Sequence, residues 1–153
     1  MLGIAAMTAS FVSVSAQEVV SITVPAAVSF AVTDVTRSTH GAPDPVTISF
    51  SNAILIPGRA LRVSVQAAGA AFTPPSGPGI PASNVSWANL GASGGIGWNG
   101  TLGSSFYSLV FQSNPGRISG HVDLEWTLAA PGAGIRAGNH QLLIRWKIES
   151  VTP

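Results

Sequence analysis

The chain has 153 residues, 46% of them hydrophobic and only 8% charged, with a net charge of +1. An average soluble domain carries about 25% charged residues, so this composition excludes a disordered, highly charged chain and predicts one domain with a substantial core. Seven Lys and Arg are dispersed without a basic cluster, which excludes a nucleic-acid footprint, and the absence of cysteine excludes disulfides, thiol catalysis and cysteine-metal sites.

Residues 1–16, MLGIAAMTASFVSVSA, are apolar and rich in small residues, ending Val14-Ser15-Ala16. Small side chains at the −3 and −1 positions are what signal peptidase accepts, and the run is too short to span a bilayer. The segment reads as a signal peptide and predicts a mature chain from Gln17. No Lys or Arg precedes the apolar run, so the true start lies upstream in one reading. The opposing reading is a buried first element.

From residue 17 the dominant period is two. Val20, Ile22 and Val24 alternate with polar residues, as do Val28, Phe30 and Val32. The pattern returns at Val46–Phe50, Leu61–Val65, Val85–Trp87, Tyr107–Phe111, Val122–Leu128 and Leu142–Ile148. Alternation over four to eight residues, enriched in β-branched and aromatic side chains, marks half-buried strands. Between the runs stand HGAPDP (40–45), IPG (56–58), TPPSGPGIP (73–81), GASGGIG (91–97), NPG (114–116) and PGAG (131–134). These Gly- and Pro-rich stretches read as turns and loops. The expected fold is all-β: a two-sheet antiparallel β-sandwich of immunoglobulin-like or jelly-roll type, with eight or nine strands over residues 17–153. A closed barrel is the alternative.

Two late runs repeat one phrase. In VDLEWTLAAP (122–131), Val122, Leu124, Trp126 and Leu128 share a face, with Asp123 and Glu125 opposite. In HQLLIRWKIESVTP (140–153), Leu142, Ile144, Trp146 and Ile148 share a face, with Arg145 and Lys147 opposite. The short link APGAGIRAG (130–138) suits a hairpin. In that hairpin the acids would face the bases, each pair contributing roughly 0.2–1 kcal/mol, and Trp126 and Trp146 would both lie in the core. Trp87 joins them by its own alternation. Trp87 and Trp98 flank a Gly-rich loop and could stack on sugar rings; alternation favours the core for Trp87, so Trp98, between Gly97 and Asn99, is the stacking candidate.

The paired phrases Trp126-Thr127-Leu128 and Trp146-Lys147-Ile148 resemble the two WxL motifs of bacterial WxL-type surface proteins. His140 stands at the aromatic position of the distal motif, and Ile148 stands where that motif has Leu. SITVPAAVSFAV (21–32) is similar to the entry strand of several secreted bacterial sandwiches, among them the spore-coat-protein-U-like and camelysin/TasA-like families. The resemblance implies a secreted β-sandwich at the cell surface. For the WxL family it also implies attachment to peptidoglycan.

Little in the chain points to catalysis. There is no Gly-x-Ser-x-Gly elbow, and the Gly94–Gly97 run precedes no helix that would supply aligned amides to a phosphate. His121, Asp123 and Glu125 have donor types for a divalent metal. Alternation spaces them about 6.5–7 Å apart along the strand, wide for one ion, and opposing bases would disfavour binding. No catalytic residue, metal site or cofactor is assigned. Asn84 and Asn99 begin glycosylation sequons.

Two functional classes follow. One is a non-enzymatic subunit of an extracellular filament, coat or surface layer, assembling as a homo-oligomer or polymer. In it the N-terminal strand, through Val19, Val20, Ile22 and Val24, completes a neighbour's sheet. Only Glu18 and Pro25 guard that strand. The other is a monomeric module binding cell-wall polysaccharide or another glycan through Trp98 and loops.

Overall fold

The computed structural model describes residues 17–72 and 78–153. The signal-peptide reading of residues 1–16 and the first part, 73–77, of the 73–81 loop lie outside the described residues. The chain forms an all-β sandwich, 58% strand, of two curled antiparallel sheets packed together.

Eleven strands follow in order: β1 (Val19–Thr23), β2 (Ala27–Val32), β3 (Thr39–His40), β4 (Val46–Ile54), β5 (Ala60–Ala67), β6 (Val85–Ser93), β7 (Gly95–Gly97), β8 (Gly100–Thr101), β9 (Ser108–Ser113), β10 (Gly120–Leu128) and β11 (Gly138–Val151). A short 3-10 turn, Ala82–Asn84, leads into β6. The first sheet runs β1-β4-β10-β6-β8, with β3 pairing the far end of β10; the second runs β2-β11-β5-β9-β7.

The strand count exceeds the eight or nine expected, and the surplus is short: β3, β7 and β8 hold two or three residues each. Stretches so brief show no alternation to read. The glycine run 91–97 was expected as a turn, yet it contains the end of β6 and all of β7. A Cβ on Gly95 would lie 2.2 Å from the Gln112 carbonyl oxygen. Glycine here admits a neighbouring backbone at close range.

Most of the alternating residues form the core, but Tyr107 and Ile148 are exposed and Leu109 is only partly buried, because they lie at or beyond the margin of the second sheet's packed face. Val46, Ile48 and Phe50 of β4, Val122, Leu124, Trp126 and Leu128 of β10, and Val85 and Trp87 of β6 come from the first sheet. Val28, Phe30, Val32, Leu61, Val63, Val65, Phe111, Leu142 and Ile144 come from the second. Phe50 meets Phe111 between the sheets with ring centroids 5.8 Å apart. Across the 73–81 loop the chain closes on itself: the Phe72 amide donates to the Ile80 carbonyl at 2.8 Å, and both side chains are buried.

The expected β10–β11 hairpin does not form. β10 pairs β4 and β6, while β11 pairs β2 and β5, so the two Trp phrases lie in opposite sheets. Residues 129–137 cross between the layers, with Ile135 packed on the core and the Gly132 amide bound to the Val35 carbonyl. Packed sheets stand about 10 Å apart, a gap nine residues span easily. Asp123 and Glu125 therefore do not face Arg145 and Lys147. Asp123 instead accepts the Thr47 hydroxyl at 2.6 Å, and Lys147 pairs with Glu149 at 2.7 Å.

Among the described residues no helix is long and apolar enough to cross a membrane.

Candidate functional site

Two places stand out: an unpaired sheet edge at β1, and a cluster of polar side chains on the outer face of the same sheet.

β1 holds Val19, Val20 and Ile22, and Val24 follows directly. The inward residues Val20, Ile22 and Val24 are half-buried against the core, while Val19 is exposed. The strand pairs only with β4, with Ser21 opposite Ser51, Ile22 opposite Phe50 and Thr23 opposite Ser49. Among the described residues its other edge has no neighbour.

The remaining outer strands are better protected. β8 and β7 offer two and three residues, and β2 is bridged at Ser29 by Ala42. Short or covered edges resist unwanted pairing. β1, with five residues, carries no such bridge on its outer edge among the described residues, whereas the six-residue β2 is bridged at one position.

The two guards foreseen for β1 are engaged elsewhere. The Glu18 carboxylate accepts the Ile56 amide at 2.9 Å and the Ser150 hydroxyl at 2.7 Å, and Arg59 stands 3.9 Å away. The Ile56 amide first, then the Ser150 hydroxyl and the Arg59 charge, hold its carboxyl below the ordinary carboxylate range despite some desolvation. The Pro25 carbonyl accepts the Trp146 indole N–H. Both guards thus fasten β1 to β11 and the β4–β5 loop, and neither blocks the open edge.

The tryptophans divide. Trp87 and Trp126 are buried, at 2% and 1% exposure, as expected. Trp146, expected inside, is only half-buried at the core margin. Trp98 is also half-buried: its amide donates to the Val110 carbonyl, and its carbonyl accepts the Trp87 indole N–H at 2.8 Å. The segment through Trp98 is tied to β9 and β6, so the ring is offered only in part. In the two sequons Asn84 closes the 3-10 turn, and Asn99 is exposed with its side-chain oxygen accepting the Asn89 amide.

The second place is one the sequence reading passed over. His40 lies on β3, opposite Thr127 of β10. Two residues back along β10, on the same outward face, stands Glu125. Asp44 follows His40 across a turn whose Gly41 amide binds the Trp126 carbonyl at 2.8 Å and whose Ala42 amide binds the Ser29 carbonyl at 2.9 Å. His40 Nδ1 lies 3.7 Å from Glu125 Oε1 and 4.0 Å from Asp44 Oδ2. The triplet weighed from sequence, His121, Asp123 and Glu125, does not converge: His121 meets Asp123 at 3.9 Å, and Glu125 turns to His40 instead.

Comparisons with protein-family models, with curated proteins and with solved structures find no match to this chain.

Proposed function

We propose that this chain is a secreted, non-enzymatic structural protein, a subunit of an extracellular filament, coat or surface layer. In this reading the β1 segment of one copy completes the first sheet of the next. The observation that carries the reading is the state of β1: a five-residue sheet-edge strand with, among the described residues, one partner and an open outer edge. Strand exchange would break one ladder and the Glu18 and Pro25 contacts at its ends, and re-form the same set on a second copy. Main-chain hydrogen bonds then give affinity, and Val20, Ile22 and Val24 give the register. Such a head-to-tail contact is heterologous and generates an open polymer unless the rotation closes. The low charge of the chain supports the same reading, since covered surface needs few charges.

The glycan-binding alternative has weaker support. Trp98, its proposed stacking residue, is half-buried, with its backbone tied to Val110 and to the Trp87 indole.

The test uses the absence of native cysteine. Ser21 and Ser51 are exposed cross-strand partners, and facing Cα atoms on antiparallel strands fall within disulfide range. A Ser21→Cys/Ser51→Cys protein, oxidised, ties β1 to its own β4. Negative-stain microscopy should show polymers from the reduced full chain and monomers from the oxidised one. Equal polymerisation of both forms would overturn strand exchange.

A further inference from the structure

We infer that His40, Asp44 and Glu125 form a binding site for a late first-row divalent cation, with zinc as its probe. The three donor atoms all lie within 4.8 Å of one another. A tetrahedral zinc with bonds of about 2.0–2.1 Å places its ligand atoms about 3.4 Å apart. The observed 3.7 and 4.0 Å separations from His40 need about 0.3–0.6 Å of closure, and the two carboxylates, within 4.8 Å of each other, up to about 1.4 Å. All three side chains are partly exposed, so they are free to rotate by that much.

The scaffold beneath them is firm. The ladder between His40 and Thr127 sets the imidazole beside the Glu125 carboxylate, and two main-chain hydrogen bonds fix the turn that carries Asp44. His40 and Glu125 are mounted on paired strands, which hold ligand spacing better than loops do, while Asp44 stands in the bend between β3 and β4.

Charge makes an independent case. No Lys or Arg occurs in any strand of this sheet, whereas Arg62, Arg145 and Lys147 all lie in the other. Among the described residues, the Lys and Arg ion pairs are made with Glu18, Asp34 and Glu149, and none reaches Asp44 or Glu125. Two carboxylates are thus held around one imidazole without a basic side chain to neutralise them. A dication supplies that charge. The ligand chemistry selects among dications: imidazole favours zinc, copper and nickel, whereas calcium seeks six to eight oxygens. Three protein ligands leave at least one coordination position to water.

The experiment is a calorimetric titration of the full chain with zinc chloride, with the histidine ring resonances followed by NMR. The expected result is one ion per chain, with the His40 ring signals shifting on addition. His40→Ala and Glu125→Gln should each weaken binding by at least about tenfold, the least that even loss of an outer-shell partner costs. His121→Ala, on the same face, should leave binding unchanged, and calcium should not compete. The inference is overturned if the wild type takes up no zinc, or if His40→Ala binds as the wild type does. It is equally overturned if His121→Ala removes binding, which would move the ion to the His121–Asp123 pair. The readout is independent of polymer formation, so it stands or falls apart from the strand-exchange reading.

Discussion

Trp87 and Trp126 stand opposite one another on β6 and β10, with ring centroids 5.1 Å apart and planes tilted by 48°. The partner of the first repeated-phrase tryptophan is therefore Trp87, from a strand that lacks the phrase, and not Trp146. The repetition records two strands with the same inward-facing pattern in opposite layers. Trp126 occupies the centre of one layer, whereas Trp146 closes the margin of the other over Pro25.

The two tryptophans should therefore differ in what they contribute to stability. Trp126→Ala should cost about 3–5 kcal/mol, the usual range for deleting a buried large aromatic. Trp146→Ala should cost clearly less, since its ring is only partly buried at the core margin. Urea unfolding of both variants measures the difference, and equal costs would contradict the assigned burial.

Gly100 lies opposite Trp87 in the ladder, and a Cβ there would come within 2.3 Å of the indole ring. Gly100→Ala should force the ring aside and destabilise the fold by about 1–3 kcal/mol. Near-ultraviolet circular dichroism should change with it, because the displaced ring is half of the Trp87–Trp126 pair. An unchanged spectrum and stability would show that the ring has room to spare.

The charge pairing expected from sequence gives a third check. Asp123 and Arg145 lie in different sheets, so a double-mutant cycle between them should return no coupling beyond about 0.3–0.5 kcal/mol. The cycle between Asp123 and Thr47, joined by a 2.6 Å hydrogen bond, should return a measurable favourable term. Coupling of Asp123 to Arg145 would restore the hairpin.

These outcomes bear on what the sequence could tell. Alternation assigned Val28, Phe30, Val46, Ile48, Val63, Leu124 and their neighbours to the interior, because period two marks a face whichever sheet the strand joins. It could not say which sheet. β10 and β11 carry the same pattern, and only the packing of residues 129–137 across the core separates them. The glycine run 91–97 misled for a different reason: glycine serves tight turns and close strand approach alike, and Gly95 and Gly97 serve the second. The His40, Asp44 and Glu125 cluster was illegible because its members meet through the pairing of a two-residue strand with β10. No local period announces such a strand.

Glu18 predicts a dependence on pH. Its folded carboxyl titrates below the ordinary range because the Ile56 amide, the Ser150 hydroxyl and Arg59 favour the charged form. A lowered folded value contributes stability above the unfolded carboxylate pKa, about 4.3. That contribution is lost as pH falls through the lower folded value. Glu18→Gln should melt earlier than the wild type at neutral pH, and the gap should close in strong acid. A gap that persists unchanged into acid would assign the effect to lost packing.

β11 is fourteen residues long, and its two halves serve different partners: 138–143 bond to β2 and 144–151 to β5. Tension applied along this strand would have to slide it past both partners together, with successive hydrogen bonds sharing the strain and no single bond peeling first. A body threaded by such a strand is suited to transmitting mechanical force from one end to the other without coming apart.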